Sequence, residues 1–202
     1  MRKKILLSLF LIAIPIIISA QFTSGVVYKK DGSEIKGLIK IKENRGIKFK
    51  EKEKSKVKHY NHKNILGFNI FKYQRFIEYV YRKTKGGHNY QLLETLQKGK
   101  ITLYKLYQSE PNLLNSLIRG GNKRGNLHQF NNFHYISSDT FYVEKYNHTF
   151  KIDYRLREKM EYLFNDCPKL LKSIKDGYFG KEKKIWKNGK IKDIIDVYNK
   201  CK

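Results

Sequence analysis

The sequence predicts an α+β fold in which a mainly antiparallel β-sheet, built from hairpins, is followed by about three C-terminal helices. Three observations carry this. Between residues 26 and 107 apolar side chains recur mostly at every second position between turn signals. From Ile152 onward they recur at spacings of three and four. The two cysteines, Cys167 and Cys201, then bracket two short amphipathic stretches at the end of the chain.

The elements follow in order. Residues 1–20 carry Arg2-Lys3-Lys4, an apolar run from Ile5 to Ile18, and Ser19-Ala20. That is the n-region, h-region and small-residue end of a secretory signal peptide. Cleavage after Ala20 leaves Gln21 first, with no cysteine there to be lipidated. The run is short for a spanning helix and contains Pro15, so the expected arrangement is a leader, 1–20, and one domain, 21–202. That domain divides into a β-rich part to residue 150 and a helical part from 151. No later segment is apolar and long enough for a transmembrane helix, so the mature chain is expected in an oxidising envelope or extracellular compartment.

Val26-Val27-Tyr28, then Asp31-Gly32, then Ile35, Gly37, Ile39 and Ile41 read as a hairpin with a half-buried second strand. Ile47 and Phe49 alternate again after the turn at Asn44-Arg45-Gly46. Residues 51–58 are almost wholly charged and predict a solvated edge or hairpin tip. Residues 65–71, 76–81 and 101–106 read as strands, with turns at Gly86-Gly87 and Gly99. Tyr90, Leu92, Leu93 and Leu96 fit either a strand end or a helical turn. Residues 109–132 form a long polar interruption. Residues 133–136 and 140–146 are then expected to pair across Ser137-Ser138-Asp139.

Ile152, Leu156, Met160, Leu163 and Phe164 lie on one helix face. Pro168 suits a first helical position, and Cys167, Leu170, Leu171 and Ile174 share a face before a stop at Gly177. Ile191, Ile194, Ile195 and Tyr198 form the last face, with Cys201 seven residues after Ile194. Antiparallel packing of these two helices brings Cys167 to Cys201 and predicts a disulfide between them.

The formal net charge is +25, and removal of Arg2, Lys3 and Lys4 with the leader leaves +22. Tyrosines number 15 and phenylalanines 12, too aromatic a chain for disorder. Such a charge invites anionic partners: nucleic acid, lipopolysaccharide or an acidic glycan of the envelope. Lysine far outnumbers arginine, however, and Ile and Asn are abundant, as an AT-rich coding composition favours. Arg119, Lys123 and Arg124, set among Gly120, Gly121 and Gly125, are the candidate anion-binding residues, because glycines let a ligand approach the backbone. The competing reading is a lysine-rich surface loop.

No catalytic or cofactor motif is found: neither Gly-x-Ser-x-Gly, a Walker loop nor a dinucleotide fingerprint. His59 and His62 lack further ligands at zinc spacing. No metal or cofactor is predicted. The expected function is therefore an exported binding or structural module of the envelope without catalytic activity. An anion-binding protein is the alternative, and a hydrolase assembled from distant residues the second alternative.

Several short stretches carry a likeness: Asp31-Gly32 with Lys36-Gly37, Leu92-Leu93-Glu94, 99–104 (Gly-Lys-Ile-Thr-Leu-Tyr), Asp166-Cys167-Pro168 and Tyr198-Asn199-Lys200-Cys201. With the leader ending at Ala20-Gln21, the chain resembles a loose group of uncharacterised secreted proteins of Bacteroidota. The resemblance implies the leader, the β-then-α order and the cysteine pair. It brings no activity, cofactor or catalytic residue.

Overall fold

The computed structural model describes residues 22–42, 45–85, 87–108, 140–152, 156–179 and 190–201. Among these residues ten antiparallel strands come first and three helices last, which is the α+β order the sequence predicts. The chain divides into two compact units, Met1–Glu78 and Tyr79–Lys202. The boundary falls inside a strand, Arg75–Lys83, where no linker composition marks it.

In the first unit the strands are β1 (Thr23–Lys29), β2 (Glu34–Ile41), β3 (Ile47–Lys50), β4 (Lys58–Tyr60), β5 (Ile65–Lys72) and the start of β6 (Arg75–Lys83). Their order is β5-β1-β2-β3-β4. The β1–β2 turn is held by Asp31, whose Oδ1 accepts from the Ser33 amide at 2.8 Å and its hydroxyl at 2.6 Å. Register places Ile39 against Phe49 and Ile41 against Ile47. Ile39, Ile47 and Phe49 are buried with Val27, Ile65 and Phe68. Residues 51–58 are largely exposed, as their charge dictates. The β5–β6 connection is a two-residue turn, Tyr73-Gln74, with φ of 54° and 60°. Asn-Gly is the usual sequence for that geometry, so the turn carries no sequence signal.

The second unit continues from β6 into β7 (Tyr90–Gln97), β8 (Thr102–Leu106), β9 (Phe141–Lys145) and β10 (His148–Lys151), hydrogen-bonded in that order. The ambiguous 90–97 stretch is thus a strand. One sequence expectation is corrected. β9 turns through Tyr146-Asn147, both with positive φ, and pairs with β10, while its other edge pairs with β8. Both edges being taken, β9 has no place for a hairpin with 133–136, residues that lie outside those described. The far end of β6 also reaches β10: Thr84 makes a parallel bridge to Thr149, and the Lys85 amide donates to the Thr149 carbonyl at 2.9 Å.

One face of this sheet is covered by α1 (Leu156–Phe164), α2 (Pro168–Lys175) and α3 (Lys190–Asn199). Ile101, Leu103, Val143 and Phe150 pack there with Met160, Leu163, Phe164, Leu170, Ile174, Ile191, Ile194 and Ile195. Cys167 is the N-cap residue of α2 and Pro168 follows it inside the helix. Gly177, at φ +78°, lies just beyond the C-cap Asp176, in the left-handed conformation a helix stop favours. Cys167 and Cys201 form the disulfide, with Cα atoms 6.1 Å apart. Beside it, Asn199 mimics a strand: its Oδ1 accepts from the Ile101 amide at 2.9 Å and its Nδ2 donates to the Ile101 carbonyl at 3.1 Å. A Cβ at Gly99 would lie 2.3 Å from the Asn199 Cγ, so this lock needs glycine there.

Candidate anion-binding cleft

Where β6 meets β10, the second unit carries a cleft of about 420 Å³. One wall is the end of β6 and its turn, with Lys83, Thr84, Lys85, Gly87 and His88. The other is the start of β10, with Asn147, His148 and Thr149. None of these eight described lining residues is acidic; two are lysines, two histidines and two threonines. The walls are joined by the Thr84–Thr149 bridge, and the turn is closed by the Gly87 amide donating to the Thr84 carbonyl at 2.9 Å. A Cβ at Gly87 would fall 2.3 Å from the Thr84 hydroxyl. Glycine therefore lets this turn close tightly.

Behind the cleft lies the acid Glu144. Its Oε2 accepts from Arg82 Nε at 2.5 Å, from the Tyr104 hydroxyl at 3.0 Å and from the Thr149 hydroxyl at 3.4 Å. The Arg82 guanidinium thus meets the Glu144 charge. Burial pushes the Tyr104 phenol up to about 12, with the Glu144 carboxylate adding to the effect and Arg82 opposing it. The phenol stays a neutral donor at physiological pH.

An aromatic ledge continues from the cleft. Lys85 Nζ lies 5.5 Å from the Phe150 ring centroid and 5.8 Å from that of Tyr162, within cation–π range. Phe150 and Tyr162 pack edge to face at 5.4 Å, and His148 packs on Phe150 at 6.3 Å. Phe150 is buried, whereas Tyr162 is 42% exposed.

A second polar cluster serves the helical clamp. Lys145 is only 2% exposed; its Nζ donates to the Leu163 carbonyl at 2.6 Å and to Asp166 Oδ1 at 2.9 Å. The Tyr198 hydroxyl donates to the same carboxylate at 2.7 and 2.8 Å. Burial opposes the Lys145 charge, but its bonds to Tyr198 and Asp166 outweigh this and hold its pKa above the usual lysine value. Burial likewise works against the Asp166 carboxylate, while Lys145 and Tyr198 together hold it below the usual range. The Lys145 ammonium, the Asp166 carboxylate and the Tyr198 hydroxyl all find protein partners at the end of α1, so the cluster is a fastener.

A larger trough of about 640 Å³ in the first unit is lined by both signs of charge, Lys36 and Lys52 with Glu51 and Glu53. It has no net preference for an anion.

Arg119, Lys123 and Arg124 lie outside the described residues, as do His128 and His134. His59 is exposed and His62 half-buried. His88 and His148, scattered in sequence, both line the cleft. Among the described residues no group of three His, Cys, Asp or Glu side chains is placed to hold a metal ion, and no helix is long and apolar enough to cross a membrane. The one sequence signal for the cleft was the basic turn around Gly86-Gly87. Nothing marked Asn147-His148-Thr149 as its opposite wall. No protein family, curated protein or solved structure matches the chain.

Proposed function

We propose that the chain is an exported binding module of the cell envelope that holds anionic groups in the β6–β10 cleft. The observation that carries this reading is the lining itself: Lys83, Lys85, His88 and His148 line one cleft with Thr84 and Thr149, and none of the described lining residues is acidic. The histidine and asparagine side chains can donate to fix orientation, and the lysines supply the charge. The leader, the Cys167–Cys201 disulfide and the likeness to secreted Bacteroidota proteins support an oxidising compartment, where anionic polymers are abundant partners.

The test compares three variants for binding to lipopolysaccharide and to a polyanion at about 150 mM salt, where exposed charges are screened beyond about 8 Å. The variants are Lys83→Gln/Lys85→Gln in the cleft, Lys52→Gln/Lys54→Gln on the exposed 51–58 tip, and Arg119→Gln/Arg124→Gln. A general lysine field depends on the number of charges engaged, so all three pairs would then lose affinity equally. The cleft reading expects the first pair to lose about tenfold more than the second, a difference of ~1.4 kcal/mol. Equal losses refute it, and a dominant loss in the third pair moves the site to 119–124.

A further inference from the structure

The cleft and the Tyr162 ledge together define a ligand more closely, provided that the anion-binding reading holds. We propose that the ligand is an anionic saccharide, its charged group in the cleft and its sugar ring laid on Tyr162.

Three observations converge. The cleft is at the small end of ligand pockets, which run from ~300 to 1,000 Å³, so it suits one small anionic unit rather than a stretch of polymer. Lys85 and His148 belong to the cleft and also touch the ledge, which puts the exposed ring beside the charge. Among the described residues the ledge offers one exposed ring, Tyr162, because its partner Phe150 is buried. A nucleic-acid groove stacks successive bases on several rings while a basic track follows the backbone. One ring beside one pocket instead fits a compact unit: an anion with a single six-membered ring attached. A pyranose presents a face of C–H bonds to such a ring and a rim of hydroxyls to Asn147 and to water. Phosphorylated sugars and uronic acids share this chemistry.

Isothermal titration of the mature protein separates the possibilities, with inorganic phosphate, glucose 1-phosphate, glucuronate, glucose and adenosine 5′-monophosphate as probes. Glucose 1-phosphate is expected to bind about tenfold tighter than phosphate, a difference of ~1.4 kcal/mol. Glucose alone should bind weakest. In Tyr162→Ala the affinity ratio of sugar phosphate to phosphate should fall to about one, and in Tyr162→Phe it should survive. Glucuronate tighter than glucose 1-phosphate would keep the inference and assign the source to uronic acids. If phosphate binds but the sugar adds nothing, or if Tyr162→Ala keeps the full ratio, the saccharide inference falls and the anion cleft stands. Adenosine monophosphate binding tighter than the sugar phosphate would also overturn it, in favour of a nucleic acid. No binding by any of the anions would remove the cleft reading and this inference together.

Discussion

Removing the Cys167–Cys201 bond should loosen the second unit from its C-terminal end. The bond closes a loop with a sequence separation of 34. On the chain-entropy estimate a loop of that length restricts the unfolded chain by about 4 kcal/mol at 25 °C. The helices keep other anchors: Ile191, Ile194, Ile195 and Tyr198 of α3 are all buried to 1% exposure or less. A fully buried apolar side chain contributes ~1.5–3 kcal/mol. The double variant Cys167→Ala/Cys201→Ala should therefore still fold. Its unfolding free energy in denaturant should drop by ~3–4 kcal/mol, with a somewhat steeper slope because the freed unfolded chain exposes more surface. A shift of that size lowers Tm by roughly 6–16 °C for a chain of this length. Hydrogen exchange should show lost protection in 168–175 and 190–199 before any change in 23–72. A loss below about 1 kcal/mol, or protection lost first in 23–72, would refute the reasoning that the bond secures the helical clamp.

Three further outcomes rest on the same structure. Lys145→Met keeps the stem of the side chain but leaves the Leu163 carbonyl unpaired in a buried setting; denaturant unfolding should register a loss of about 1–3 kcal/mol, and a neutral or stabilising result would contradict the fastener. Asp166 has a lowered pKa, so its contribution is present above the unfolded carboxylate value of about 3.9 and is lost as pH falls through its lower folded value. Asp166→Asn should flatten that acid limb of the stability curve below about pH 4. Its carboxylate is 45% exposed, so solvent screening keeps the effect modest. N-terminal sequencing of protein recovered from the envelope should read Gln21 first; retention of Met1 would remove the export argument.

Most of the fold was legible, for reasons that differ by element. Period-two alternation in 35–41 and 47–49, with Asp31-Gly32 between apolar runs, left one way to bury those strands. The clamp was legible because Pro168, Gly177 and the i, i+3, i+4 spacing fix where α2 starts, faces and stops. Cys201 then shares the face of Ile194. Two turns were not legible. Tyr73-Gln74 and Tyr146-Asn147 put non-glycine residues at positive φ, a conformation costing ~1–2 kcal/mol per residue. Asn147 tolerates this conformation, but at Tyr73, Gln74 and Tyr146 the surrounding strand pairing imposes it. Losing the second turn hid β10, and with β10 one wall of the cleft. Lys145 is buried for the same nonlocal reason: its partners Leu163 and Asp166 are 18 and 21 residues away. The candidate site was legible only as a class. Positive charge pointed to anions, but the sequence drew attention to Arg119, Lys123 and Arg124. The cleft joins residues near 85 to residues near 148, a separation no motif records.

The most direct test of the central claim is an NMR titration of the mature protein with inorganic phosphate at about 150 mM salt. The account predicts saturable shifts at the amides of Thr84, Gly87, His148 and Thr149, all with one dissociation constant. Shifts spread over 51–58 without saturation, or centred on 119–124 with the cleft amides still, would contradict it.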